Sequence, residues 1–130
     1  MKEIQAIYCD IDGVTTEKFA NANWDAFGAP NEGMLRVLKS LSRDFTIVFI
    51  TGRWAVGQDK VERLIRSILP GIECKVFCKP NDYPGTTAEY KLAKVKELES
   101  EGYHFNMGFD DHSAVIGLLY NHGMFVAQVI

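Results

Sequence analysis

Ile4-Gln5-Ala6-Ile7-Tyr8-Cys9-Asp10-Ile11-Asp12-Gly13-Val14-Thr15 runs almost wholly apolar and then breaks on two carboxylates and a glycine. A run that is apolar at nearly every position, not at every second one, suits a strand covered on both faces. Four further runs share that character: Phe45–Ile50, Ile72–Cys78, Phe105–Phe109 and Met124–Ile130. Helical spacing fills the gaps. Met34, Val37, Leu38 and Leu41 recur at i, i+3, i+4, i+7 after Pro30-Asn31, with Asn31 placed to cap. Val61, Leu64, Ile65 and Ile68 repeat the spacing and stop at Pro70-Gly71. Thr86 and Glu89 form a capping box ahead of Ala88, Leu92, Val95 and Leu98, with Gly102 closing that helix. A fourth helix is expected over Ser113–Asn121, ending at Gly123. Strand and helix thus alternate throughout, which predicts an α/β fold: a five-stranded parallel sheet with helices on both faces. There is no repeat, low-complexity segment or linker.

The bulk properties agree with one soluble globular domain. A chain of 130 residues, 47% apolar and 24% charged, is long enough for one sizeable core. Its net charge of −3 offers no basic field to grip a long polyanion, so any nucleic-acid contact should be local. The cysteines Cys9, Cys74 and Cys78 lack the partners of a metal site and read as buried strand thiols in a reducing compartment. No secretory leader and no membrane-length apolar run is visible, which predicts a cytoplasmic protein without a membrane partner.

In open α/β sheets ligands bind beyond the carboxyl ends of the strands. Those ends read Asp10-Ile11-Asp12-Gly13, Thr51-Gly52-Arg53 and Asp110-Asp111, with Lys91 near the start of a helix. Four carboxylates at one edge repel and call for a counter-charge, and Mg²⁺ is a hard, oxygen-seeking one. The Thr51 hydroxyl, neighbouring backbone N–H groups and Lys91 are donors of the kind a phosphoryl group needs. Gly13 and Gly52 permit tight turns close to a ligand. Singly, each feature has an ordinary reading. An Asp after a strand forms a turn, Thr-Gly-Arg is a surface turn, Lys91 is a solvated lysine and Asp111 caps the helix that follows. Their joint order is what points to chemistry.

That order resembles the haloacid dehalogenase superfamily of phosphotransferases. Its first motif, a hydrophobic strand ending Asp-x-Asp-Gly-x-Thr, matches Asp10 to Thr15; Thr51, Lys91 and the pair Asp110-Asp111 match the other three. The resemblance implies a single Rossmann-like domain over residues 1–130 without a large cap. It implies Asp10 as nucleophile of an aspartyl-phosphate and Asp12 as the acid that protonates the leaving oxygen and then activates water. Thr51 and Lys91 would hold phosphoryl oxygens. Mg²⁺ would be held by the Asp10 carboxylate, the Asp12 carbonyl, and Asp110 or Asp111.

Within the superfamily, Asp110-Asp111-His112-Ser113 and the later Gly123-Met124-Phe125-Val126-Ala127-Gln128-Val129 look like the 3′-phosphatase domain of polynucleotide kinase-phosphatases, without the kinase P-loop. His112 stands where that family usually has Arg, so an anionic contact there is lost or becomes pH-dependent. The implied substrate is a nucleotide or a polynucleotide 3′-phosphate; the alternative is a small sugar or metabolite phosphate. Gly52, Arg53, His112 and Trp24 are the candidates for substrate contact. The stretch between the first two motifs is too short for a large cap, so residues 15–29, with Phe19, Trp24 and Phe27, form a small flap. That flap is either packed on the body or poised over the site, and a second copy of the chain could supply a further lid. A receiver-type phospho-acceptor is disfavoured, because the third apolar run ends Phe77-Cys78-Lys79-Pro80 with no acceptor Asp. An idle scaffold would have no need of Asp10, Asp12, Thr51 and Lys91 together.

Overall fold

Burial on both faces turns the apolar runs into parallel strands: β1 (Ile4–Cys9), β2 (Thr46–Trp54), β3 (Cys74–Lys79), β4 (Tyr103–Asp110) and β5 (Val126–Gln128). The computed structural model describes residues 2–18 and 26–130. The strands form one sheet in the order β3-β2-β1-β4-β5, all pairs parallel. This is the Rossmann-like order, and it differs from the 2-1-3-4-5 order of flavodoxin-like switch domains. The chain winds outward from β1 to β3, then crosses to β4 on the other side of β1. The crevice at that reversal lies beside the carboxyl ends of β1 and β4.

Alternate residues of the central strands feed two separate cores. Ala6 and Tyr8 of β1, with Val48 and Ile50 of β2, pack against Val95 and Leu98 of α3 (Thr87–Ser100) and Val115 and Leu119 of α4 (Ser113–His122). Ile7, Cys9, Ile47 and Phe49 face the other way, onto Leu35 and Leu38 of α1 (Glu32–Leu41) and Val61 and Ile65 of α2 (Gln58–Ile68). Helices therefore cover both faces of the sheet, as expected.

Helix boundaries follow their caps. The Asn31 side chain accepts from Met34 N at 3.2 Å, and the Thr86–Glu89 box closes reciprocally at 3.0 and 3.1 Å. Four readings need correction. In α1 the buried face is Met34, Leu35 and Leu38, and Val37 is exposed, because the helix turns its 34/38 seam, not 37, to the sheet. β2 continues four residues past Ile50, because pairing with β3 resumes at Trp54 after a register shift beyond Thr51. β5 keeps only three residues, since Met124 N is spent on Leu119 O as α4 closes. Asp111 is not the cap of α4; that place is taken by His112, without a side-chain bond.

Candidate active site

The turn after β1 is built by its own hydroxyls and amides. Asp10 N donates to Phe109 O at 3.0 Å, and the buried Thr15 hydroxyl donates back to Asp10 O at 2.7 Å. The N–H groups of Val14, Thr15 and Thr16 all converge on Ile11 O, at 3.2, 2.9 and 3.0 Å. Gly13 sits at φ +83°, and a Cβ there would fall 2.2 Å from Asp111 Oδ2. Only glycine satisfies both demands. The turn thus presses directly against the second acidic motif.

Register sets the rest of the floor. Cys9 pairs with Phe109 on one side and Phe49 on the other, so Asp10 lies beside Asp110, with Thr51 just beyond on β2. Lys91, one turn into α3, is buried, and its ammonium stands 3.0 Å from both Asp10 Oδ1 and Asp110 Oδ2. Asp110 is wholly buried and also accepts from the Tyr8 hydroxyl and, at 2.9 Å, from His112 N. Asp10, Asp110 and Asp111 bring oxygens within 4.8 Å of one another. Asp111 is half-buried and has neither hydrogen bond nor ion pair among the described residues. Three hard donors, one of them uncommitted, could hold a divalent cation.

Burial pushes the Asp10 carboxyl up to about 7; Lys91 pulls it down and the Asp110 charge pushes it up. For Lys91, burial opposes the charge, but Asp10 and Asp110 outweigh it and its pKa is raised. Burial, reinforced by Asp10 and Asp110, lifts the Tyr8 hydroxyl far enough that it remains a donor. Below pH about 7 a cation entering the cluster must displace the Asp10 proton. Divalent-cation affinity is therefore expected to rise with pH up to about 7 and then level off. Calorimetry in buffers of different ionisation enthalpy reads the released proton, and affinity flat across the acidic side of neutrality would contradict it. Stability has the opposite sign. Between about 4 and about 7 the fold holds more protons than the unfolded chain, so on Asp10's account the metal-free protein loses stability as pH rises through that window.

Asp12 points elsewhere. Arg53 Nε donates to its Oδ2 at 2.8 Å and Nη2 to its Oδ1 at 2.7 Å, a bidentate pair. The same Nη2 donates to Ala26 O at 2.7 Å, and the guanidinium carbon lies 4.0 Å from the centre of the Phe27 ring. Arg53 thereby ties Asp12 to the returning leg of the flap, whose base is closed by Glu17 N donating to Ala29 O at 2.7 Å. Phe27 is thus packed on the body. Trp24 and Phe19 lie outside the described residues. Thr51 is buried, its oxygen accepting from Arg53 N at 3.1 Å. At Gly52 a Cβ would meet the Thr87 side chain at 2.6 Å, which explains the glycine. The His112 side chain is exposed, and only its backbone joins the cluster.

The structure thus gathers Asp10, Lys91, Asp110 and Asp111 in one cluster, with Asp12 and Arg53 as a separate pair and Thr51 and Gly52 at the adjoining strand end. Sequence reading passed over two residues here. Tyr8 donates to a carboxylate 102 positions away, which no local pattern announces. Lys79 is a largely buried lysine at the tip of β3, its ammonium 3.1 Å from Thr87 Oγ1; a lysine ending an apolar strand was its signal. A groove of about 530 Å³ lined by Ile4, Phe45, Ile72 and Tyr103 opens at the opposite end of the sheet, away from these groups.

No family model matches the chain, and no curated protein matches it. Among solved structures it is similar to a chain of the Pnkp1/Rnl/Hen1 RNA repair complex, with TM-score 0.79, 19% identity and coverage of 98% of this chain and 42% of that one. A second structure of the Pnkp1/Rnl/Hen1 complex gives TM-score 0.77, 20% identity and coverage of 98% and 46%. The likeness is one of fold. This chain spans less than half the length of either. Among the described residues no helix is long and apolar enough to cross a membrane.

Proposed function

We propose that the chain is a Mg²⁺-dependent phosphomonoester hydrolase of the haloacid dehalogenase type, acting on a nucleotide or a polynucleotide 3′-phosphate through an aspartyl-phosphate on Asp10. The observation that carries this is the Lys91 ammonium, buried and 3.0 Å from both Asp10 and Asp110, with the unpaired Asp111 beside them. A buried nucleophile with an adjacent cation suits a reaction that gathers negative charge on phosphoryl oxygens. The fold shared with a chain of an RNA repair complex supports a nucleic-acid end as substrate.

In the proposed reaction an Asp10 oxygen attacks phosphorus in line and the bond from phosphorus to the ester oxygen breaks. Asp12 gives that oxygen a proton. Asp12 then takes a proton from the water that attacks the aspartyl-phosphate, regenerating the Asp10 carboxylate and releasing phosphate. Both oxygens of Asp12 accept from Arg53, so Asp12 has to leave one of those hydrogen bonds and take up a proton from water before it can serve the leaving oxygen. Lys91, the Thr51 hydroxyl and the backbone at Gly52 hold the non-bridging oxygens. Asp10 and Asp111, with the Asp12 carbonyl, would hold the metal, while Asp110, already bonded to Tyr8, Lys91 and His112 N, orients Lys91. When bound, Mg²⁺ supplies positive charge opposite the phosphoryl oxygens.

Phosphate release from a 3′-phosphorylated oligonucleotide is expected to require a divalent cation, with Mg²⁺ sufficient and Ca²⁺, which prefers longer bonds and more ligands, inhibitory. Full activity after exhaustive chelation would reject the metal. Sugar phosphates exceeding every nucleotide tenfold in kcat/KM would leave a phosphatase without the nucleic-acid substrate.

A further inference from the structure

One aromatic side chain beside this site, Trp54, takes no part in the proposed reaction. After the register shift past Thr51, β2 resumes pairing at Trp54, opposite Lys79 of β3. Strand pairing thus fixes Trp54 three residues beyond Thr51, a backbone span of at most about 10 Å for an extended chain. The Trp54 side chain is 40% exposed. The Lys79 ammonium stands over its ring, 4.4 Å from the centroid. Lys79 is largely buried, its ammonium donates to Thr87 Oγ1 at 3.1 Å, and Thr87 is the side chain against which Gly52 packs. Trp54, Lys79, Thr87 and the Gly52 turn therefore form one connected wall from the proposed phosphoryl pocket to the rim.

We infer that Trp54 is the stacking platform for the base of the nucleotide whose phosphate enters the site. The inference rests on the phosphatase reading and narrows its substrate class to esters whose sugar carries a base. The cation fixes the ring before a ligand arrives, so little ordering is spent on binding. Stacking needs no positive field, and a chain of net charge −3 has none to offer. A sugar phosphate has no flat aromatic face to match the ring.

Two substrates and two readouts test it. A dinucleotide with a 3′-phosphate is compared with the same compound lacking the base on its phosphorylated sugar. The protein is expected to prefer the first by about tenfold or more in kcat/KM, mainly through KM. Trp54→Ala should bring that ratio close to one, and Trp54→Phe should keep most of it. Separately, a nucleoside 3′,5′-bisphosphate should quench indole emission saturably, and Trp54→Phe, which leaves Trp24 as the remaining tryptophan, should remove most of that quench. A ratio near one in the unaltered protein, a preference that survives Trp54→Ala, or the absence of Trp54-dependent quenching overturns the platform even where hydrolysis proceeds. Trp54-dependent quenching without hydrolysis of either ester sustains the platform and overturns the phosphatase.

Discussion

Asp10→Asn is expected to cut phosphate release by about 10³-fold or more while the protein stays folded. The amide oxygen is a far weaker nucleophile than a carboxylate and a weaker ligand for a hard cation. Nearly isosteric, it leaves the turn intact, because the bonds that shape it use the Asp10 backbone: its N–H to Phe109 O and its carbonyl from Thr15. Lys91 keeps Asp110 as its partner at 3.0 Å, so no buried charge is stranded. Removing one of three carboxylates whose oxygens lie within 4.8 Å relieves repulsion in the absence of metal. The melting temperature in chelator should accordingly be equal or higher, read by circular dichroism beside the activity assay. More than a few per cent of the original rate would show that Asp10 does not carry the phosphoryl group.

The strands and helices were legible where one physical rule decided them. Near-continuous apolar runs located all five strands, and the Thr86–Glu89 box located the start of α3, because burial on both faces and capping are local demands. Errors arose where pairing overrode local pattern. Thr51-Gly52-Arg53 reads as a turn, since glycine and arginine end the apolar run, yet β3 offers a partner again at Lys79 and β2 continues to Trp54. In α1, spacing alone does not say whether Leu35 or Val37 flanks the buried seam.

The floor of the site was legible for a related reason: the parallel order puts Asp10, Thr51 and Asp110 at neighbouring strand ends once the sheet is assumed. Its connections were not. Arg53 reads as a substrate contact, and no local pattern announces that it also grips Asp12 at 2.7 Å and the flap carbonyl of Ala26 at 2.7 Å, a union of segments 41 and 27 residues apart. The difference in surroundings between Asp110 and Asp111 likewise emerges only from burial. Asp110 is enclosed and already accepts from Tyr8, Lys91 and His112 N, whereas Asp111 is open.

Lys91→Met should separate the stability of this site from its activity. Methionine can occupy the channel of the lysine stem, but it leaves Asp10 and Asp110 facing each other in a buried place without their cation. Removing one partner of a buried ion pair costs about 3–5 kcal/mol, a large share of the roughly 5–15 kcal/mol that holds a domain together. Asp110 keeps its bonds from Tyr8 and His112 N, so Asp10 is the group that yields. Its carboxyl, held down in the native protein chiefly by Lys91, moves further up and takes a proton. The loss of stability should therefore be smaller in acid and larger in base. A divalent cation supplies the missing charge, so Mg²⁺ should raise the denaturation midpoint of Lys91→Met more than that of the native protein, and should bind it more tightly. Activity should not follow. In the proposed reaction a phosphoryl-oxygen donor is gone, a loss of about 10²–10³-fold in kcat by analogy with an oxyanion-hole donor, and no excess of Mg²⁺ should restore it. Urea titrations with and without Mg²⁺, set beside phosphate release, check both halves. Unchanged stability in chelator would mean that Lys91 does not hold the two carboxylates, and rescue of activity by Mg²⁺ would mean that its role is charge alone.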